Sequence, residues 1–260
     1  MPPVPWTHDR HVTAAEAEIA AFAAALEGAD WSAPVPTCPE WSIADLARHT
    51  GTIQRWAEAL VRTGTRERIV PRKLGVVRPE APEDLPEWIA EGGRLLGRTL
   101  RDHDPDEPVW AWGPDPHVRF WSRRIVHETA VHRADLEFAL GREPVIDAAV
   151  ADDGIGELLT NLPSAAPFSP GIERLRGDGD VLVFAARDSG ARWTVRFRPD
   201  GYDWARDDDG GAGIEPDAAV TADVVDLYLF LHRRRAPGDP RVEVSGDRAL
   251  VAHWAENSAI

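Results

Sequence analysis

The first half of the chain contains four amphipathic segments with helical spacing and no convincing strand between them. In the second segment the apolar residues Leu46, Ile53, Ala57 and Leu60 recur three, four or seven positions apart, which is the period of one helix face. Helices of this kind bury their apolar faces against one another. The sequence therefore predicts an N-terminal four-helix bundle over residues 1–145.

Capping residues predict where these helices begin, because short polar side chains bond to the free N–H groups of a first turn. The first two segments also carry an acidic residue three positions after the cap, as in a capping box. The predicted caps, in chain order, are Thr13, Ser42, Asp84 and Ser122.

The periodicity changes after Pro144. Two short runs of alternating or β-branched residues, 181–184 and 193–197, are separated by a turn, and an apolar helix and a closing helix follow at 224–234 and 248–256. Strands followed by helices favour a small α+β domain. We expect this second domain to span residues 146–260.

The net charge and the cysteine content argue against several classes of protein function. The chain has 29 Lys+Arg against 44 Asp+Glu, a net charge of −15, which disfavours a nucleic-acid partner. Cys38 is the one cysteine, so a cysteine-rich zinc site is ruled out. No signal peptide or membrane-length apolar run is visible. We expect a cytoplasmic protein without a membrane partner, either a monomer or a weak homodimer.

Glu128 and His132 are ionisable residues in the predicted core stripe of the fourth helix. They are four positions apart, so they share one face. A buried carboxylate without a partner costs several kcal/mol. A metal would compensate Glu128, with His49 of the second helix as third ligand and Asp135 orienting His132. A neutral buried histidine paired with glutamate explains the same spacing.

Two motifs resemble a known family. The segment 37–49, TCPEWSIADLARH, resembles the start of the second helix in the mycothiol-dependent maleylpyruvate isomerase family of DinB-like metal-binding bundles. The family's Glu-x-x-x-His-Arg-x-Asp signature corresponds to residues 128–135, and residues 220–235 and 242–247 resemble its sterol-carrier-like domain. The resemblance implies an α+β two-domain protein, with a DinB-like four-helix bundle followed by a small sterol-carrier-like domain.

The same resemblance implies the chemistry. His49, Glu128 and His132 would bind a divalent metal, usually zinc, and mycothiol would be the thiol cosubstrate. Coordination deprotonates a thiol, and the thiolate would add to an electrophilic small molecule such as an unsaturated keto acid. Bond rotation and loss of thiolate would make the enzyme a cis–trans isomerase, whereas retention of the adduct would make it an S-transferase. These residues do not separate the two reactions.

A keto-acid substrate needs cationic contacts, and arginine suits carboxylates because it can bind both oxygens. The predicted candidates are Arg72, Arg78, Arg241 and Arg248. Two other classes of function stay open. The chain could be a non-catalytic carrier of a small molecule or lipid in its second domain, or a metal-dependent hydrolase that activates water.

Overall fold

The computed structural model describes residues 6–207 and 215–259. Internal contacts divide the chain into two compact units, residues 5–146 and residues 147–260. Within the described residues, no helix combines the length and the apolar character that a membrane span requires.

The N-terminal unit contains four long helices. They are α1 (His8–Ala25), α2 (Ile43–Thr63), α3 (Leu85–Asp102) and α4 (Val118–Ala139). Helices α1 and α2 each pack against both α3 and α4, which confirms the predicted four-helix bundle. Its core is built from fully buried apolar side chains that include Phe22, Leu46, Leu60, Ile125 and Leu136.

The start of α2 follows the prediction. The Ser42 hydroxyl accepts a hydrogen bond from the Asp45 backbone N–H, and the Asp45 carboxylate accepts one from the Ser42 backbone N–H. This reciprocal pair satisfies two N–H groups at the helix start. It also fixes the position of His49, two turns further along α2.

Two predicted helix starts are wrong by one to two turns. Helix α1 begins at His8, because the Thr7 side chain accepts a hydrogen bond from the Arg10 N–H, and Thr13 lies inside the helix. Helix α4 begins at Val118 instead of Ser122. Its extra first turn is stabilised by burial, since Val118 and its neighbours Phe120 and Trp121 are at most 5% exposed.

Glycines in the bundle allow close contact between helices. A Cβ atom on Gly51 of α2 would lie 2.1 Å from the ring of Trp88 on α3, and one on Gly93 of α3 would lie 2.6 Å from Ile19 of α1. These positions explain why α3 is a helix despite three glycines, a residue type that weakens isolated helices. The lost propensity is offset by tighter packing.

Replacing Gly51 by alanine is therefore expected to destabilise the N-terminal unit, although alanine favours helix formation. The methyl group would force Trp88 out of place, and overpacking of this kind costs about 1–3 kcal/mol. Urea unfolding followed by tryptophan fluorescence measures the change. Gly238→Ala is the control, because a Cβ atom there meets open space. Equal stability of the two variants would contradict the close-contact argument.

The described residues of the C-terminal unit form a five-stranded sheet with three α-helices. In chain order it contains α5 (Ala148–Asn161), β1 (Val181–Ala186), β2 (Arg192–Arg198), β3 (Gly201–Asp207), β4 (Ala218–Ala222), α6 (Val224–Leu231), β5 (Glu243–Gly246) and α7 (Arg248–Asn257). The strand order is β3-β2-β1-β4-β5, and of these pairs only β1 with β4 is parallel. The predicted α+β class is confirmed.

Strand β4 was missing from the sequence prediction. Its sequence, AAVTA, contains three alanines, which are depleted in strands, and it becomes a strand because it pairs with both β1 and β5. Helix α6, which is strongly apolar, packs against α5, β1 and β4. Burial within the unit accounts for its composition.

Candidate metal centre

Helices α2 and α4 pack together and bring the three predicted metal ligands to one point. Nε2 of His49 lies 3.2 Å from Oε1 of Glu128, and Nε2 of His132 lies 3.3 Å from the same oxygen. One ligand atom from each residue lies within 4.8 Å of the other two. The two imidazole rings meet edge to face, with centroids 4.9 Å apart.

This donor set fits a divalent metal. Two imidazole nitrogens and one carboxylate oxygen form the ligand set of many catalytic zinc sites, which leave a fourth position open. Here both imidazole nitrogens lie within 3.3 Å of the same carboxylate oxygen. The residues present could therefore hold one ion and still leave a position for an exogenous ligand.

Asp135 lies where it can orient His132. Its Oδ2 atom accepts a hydrogen bond from Nδ1–H of His132 at 2.9 Å, and its side chain is fully buried. With the proton held on Nδ1, the Nε2 lone pair of His132 is free to face a metal. This is the contact that the sequence predicted from the spacing of the two residues.

Arg124 is a functional candidate that the sequence analysis missed. Its Nη2 atom donates to Oε2 of Glu128 at 3.0 Å, and its side chain is only 7% exposed. The contact occupies one carboxylate oxygen, so the other is left for His49 and His132. The available signal was the arginine four residues before Glu128 on the same helix face.

The charges of Glu128 and His132 stabilise each other. Burial raises the pKa of Glu128, but hydrogen bonds from His132 and His49 and the charges of His132 and Arg124 outweigh it and hold that pKa well below its usual value. Burial lowers the pKa of His132, but contacts with Asp135, Cys38 and Glu128 raise it well above its usual value. The carboxylates of Glu128 and Asp135 therefore favour positive charge at His132, and a divalent ion would also supply positive charge there.

A comparison with protein families matches the part of the chain that contains the candidate metal centre. Residues 12–137 match the family model described as mycothiol maleylpyruvate isomerase N-terminal domain. The N-terminal unit is a member of this domain family. The match covers the three candidate ligands as well as Arg124 and Asp135.

A comparison with solved structures extends the likeness in fold beyond the N-terminal unit. A crystal structure of the mycothiol-dependent maleylpyruvate isomerase matches with a TM-score of 0.60 and 14% sequence identity, over 92% of this chain and 93% of that one. A variant of that enzyme, with one histidine replaced by alanine, gives the same values. At this identity the match establishes the fold. A search of curated proteins found no match.

The four arginines predicted to bind substrate lie in different parts of the structure. Arg78 is exposed, and its Nε atom donates to the Thr52 hydroxyl at 3.1 Å, one turn along α2 from His49. Arg72 is exposed on a short 3-10 helix, Pro71–Leu74, in the same N-terminal unit. Arg78 is connected by a side-chain hydrogen bond to the helix that carries the candidate ligand His49.

The other two arginines belong to the C-terminal unit. Arg241 lies 3.8 Å from a carboxylate oxygen of Asp239, and Arg248 is the exposed first residue of α7. A role for any of the four in substrate binding remains a prediction.

Replacing Asp135 by asparagine is expected to weaken zinc binding by about 10- to 100-fold, the usual effect of losing the partner of a ligating histidine. The amide is a poorer acceptor for Nδ1–H and brings N–H donors into a buried site. Competition with a chromophoric chelator measures the dissociation constant. Asp30→Asn is the control, since the exposed Asp30 carboxylate bonds to Ser32 in a loop of the same unit. A folded Asp135 variant with unchanged zinc affinity would refute this role.

Proposed function

We propose that this protein is a zinc-dependent enzyme that uses mycothiol as its thiol cosubstrate and acts on an electrophilic small molecule. The observation that carries the proposal is the convergence of His49, Glu128 and His132 within a member of the mycothiol maleylpyruvate isomerase N-terminal domain family. The cis–trans isomerase reaction is our first candidate. S-transfer of mycothiol to an electrophile is the second form of the same chemistry.

Each of the three ligand residues would supply one donor atom to the metal. His49 and His132 would each supply an Nε2 lone pair, and Glu128 would supply Oε1, while Arg124 keeps Oε2 occupied. A bound zinc ion lowers the pKa of a coordinated thiol, so that the thiolate is available near neutral pH. With one ligand carboxylate, the site keeps an excess positive charge that favours an anionic sulfur.

The isomerase and the transferase differ in the fate of the adduct. In isomerisation, the thiolate adds to a cis double bond conjugated with a carbonyl, the new single bond rotates, and elimination returns the thiol and the trans product. In the transfer reaction the carbon–sulfur bond stays. We propose Arg78 as the contact for a substrate carboxylate, because Thr52 holds it one turn from His49.

A thiol balance distinguishes the two reactions. Purified protein is incubated with zinc, mycothiol and a cis-configured unsaturated keto acid, and both products and remaining free thiol are measured. Isomerisation is expected to proceed with mycothiol far below the substrate concentration and without its consumption. Consumption of one thiol per product would indicate the transferase. Turnover that does not depend on thiol would overturn the proposal and favour a hydrolase.

The cellular setting follows from this chemistry. A thiol cosubstrate must stay reduced, and the cytoplasm maintains thiols in that state. We therefore propose a cytoplasmic enzyme with a small-molecule substrate, acting as a monomer or weak homodimer. The net charge of −15 disfavours nucleic acid as a partner.

A further inference from the structure

One loop of the N-terminal unit contacts both candidate histidine ligands. Residues 33–43 form a closed loop, in which Val35 N–H donates to the Trp41 carbonyl and Ile43 N–H donates to the Ala33 carbonyl. Within it, Glu40 adopts a left-handed backbone conformation with φ of 72°, which is uncommon outside glycine. The loop therefore has a defined shape, which sets where its side chains point.

The loop reaches the cluster through an aromatic ring and through hydrogen bonds to Asp135. The Trp41 ring packs against both histidine rings, with centroids 4.8 Å from His49 and 6.1 Å from His132. The Thr37 hydroxyl donates to Oδ1 of Asp135 at 2.5 Å, and the Cys38 thiol donates to Oδ2 of Asp135 at 3.3 Å. Trp41 thus contacts the histidine rings directly, whereas Thr37 is connected to His132 through Asp135.

The two oxygens of Asp135 have different partners. Oδ2 accepts from Nδ1–H of His132 and from the Cys38 thiol, and Oδ1 accepts from Thr37. Rotation about the terminal bond of an aspartate is soft, so contacts to one oxygen do not by themselves fix the plane of the carboxylate. The Thr37 hydroxyl fixes the second oxygen, and the carboxylate then holds the imidazole in one orientation.

We propose that Thr37 is a positioning residue for the metal centre, acting through Asp135 on His132. The inference rests on the proposed function, because the orientation of His132 matters only if its Nε2 atom is a ligand. Thr37 itself touches none of the three ligand side chains in the described contacts. Its hydroxyl lies two hydrogen bonds away from the imidazole whose direction it sets.

Packing alone does not explain this residue. Thr37 is half-buried in a loop and lies outside the apolar core. Removing its hydroxyl with an isosteric side chain leaves the volume of the loop nearly unchanged. An effect of that change on metal affinity would therefore come from the hydrogen bond to Asp135.

The test compares Thr37→Val, which removes the hydroxyl, with Thr37→Ser, which keeps it. Zinc affinity is measured by chelator competition, and the visible spectrum of the cobalt-substituted protein reports ligand geometry. We expect the valine variant to bind zinc about tenfold more weakly, at the lower end of the range for an orienting partner. The serine variant should stay within about twofold of the wild type, because it restores the donor.

Thr65→Val is the matched control, since the Thr65 hydroxyl donates to the backbone carbonyl of Glu67 in another loop of the same unit. Its zinc affinity and cobalt spectrum are expected to equal those of the wild type. Wild-type affinity in folded Thr37→Val would overturn the inference while leaving the proposed metal centre intact. Absence of zinc binding by the wild type itself would instead overturn the proposed function.

A double-mutant comparison tests whether Thr37 acts through Asp135. In an Asp135→Asn background the valine substitution is expected to cause no further loss of zinc affinity, because the relay is already broken. Independent, multiplying losses would overturn the inference. If Thr37→Val is poorly folded, Thr37→Ala in the same comparison gives the answer, since it also removes the hydroxyl.

Discussion

Replacing His132 by alanine is expected to abolish stoichiometric zinc binding while the bundle remains folded. His132 contributes one of three donor atoms, so its loss leaves His49 and Glu128 as the remaining ligand pair. The affinity should fall by more than about 100-fold, beyond the usual effect of losing an orienting partner. Elemental analysis of protein purified without a metal-affinity tag, together with circular dichroism, measures both metal content and folding.

Two further variants complete this test. His49→Ala is expected to lose zinc in the same way, because it removes the ligand that α2 contributes. His103→Ala is the control, since His103 lies at the end of α3, 2.9 Å from Glu107, and should keep its zinc. One zinc per chain in all three alanine variants would show that the metal binds elsewhere. A wild type without zinc would remove the basis of the proposed mechanism.

Replacing Arg133 by methionine is expected to destabilise the protein strongly. The guanidinium donates to both carboxylate oxygens of Glu18, at 2.7 and 3.2 Å, and also to Glu137 and to the carbonyl of Val145. The side chains of Arg133 and Glu18 are less than 10% exposed. Removing one partner leaves a buried carboxylate uncompensated, which costs about 3–5 kcal/mol.

Chemical denaturation measures this effect. Arg94→Met is the control, because Arg94 and Glu87 form an exposed pair, and such pairs contribute about 1 kcal/mol or less. Adding Glu18→Gln to the Arg133 variant should recover part of the lost stability, since it removes the unpaired charge. Equal stability of the Arg133 and Arg94 variants would show that the buried pair between α1 and α4 does not stabilise the protein.

A helix of the bundle could be predicted from the sequence where its apolar spacing and its capping residue indicate the same start. Helix α2 has both, and the structure confirms its start at Ser42. The start of α4 was placed one turn late, because Val118 and the aromatic residues after it followed a proline-rich segment that resembles a loop. Strand β4 is missed for a related reason, since its alanines acquire strand structure from their neighbours in the sheet.

The candidate site was readable only in part. Glu128 and His132 lie on one helix, so their spacing predicts that they share a face. Thr37 is 98 residues from Asp135, and no local pattern encodes a contact over that distance. The role of Arg124 depended on a side-chain conformation that brings its guanidinium to one particular oxygen of Glu128.

The candidate ligands are far apart in the chain, since His49 and Glu128 are separated by 79 positions. A metal can bind all three only after α2 and α4 have docked, so under the proposed function zinc would bind the native state and not the unfolded chain. Such binding lowers the population of unfolded molecules in proportion to zinc saturation. Proteases act on those unfolded molecules, so the lifetime of this protein in a cell should lengthen when zinc is plentiful and shorten when it is scarce.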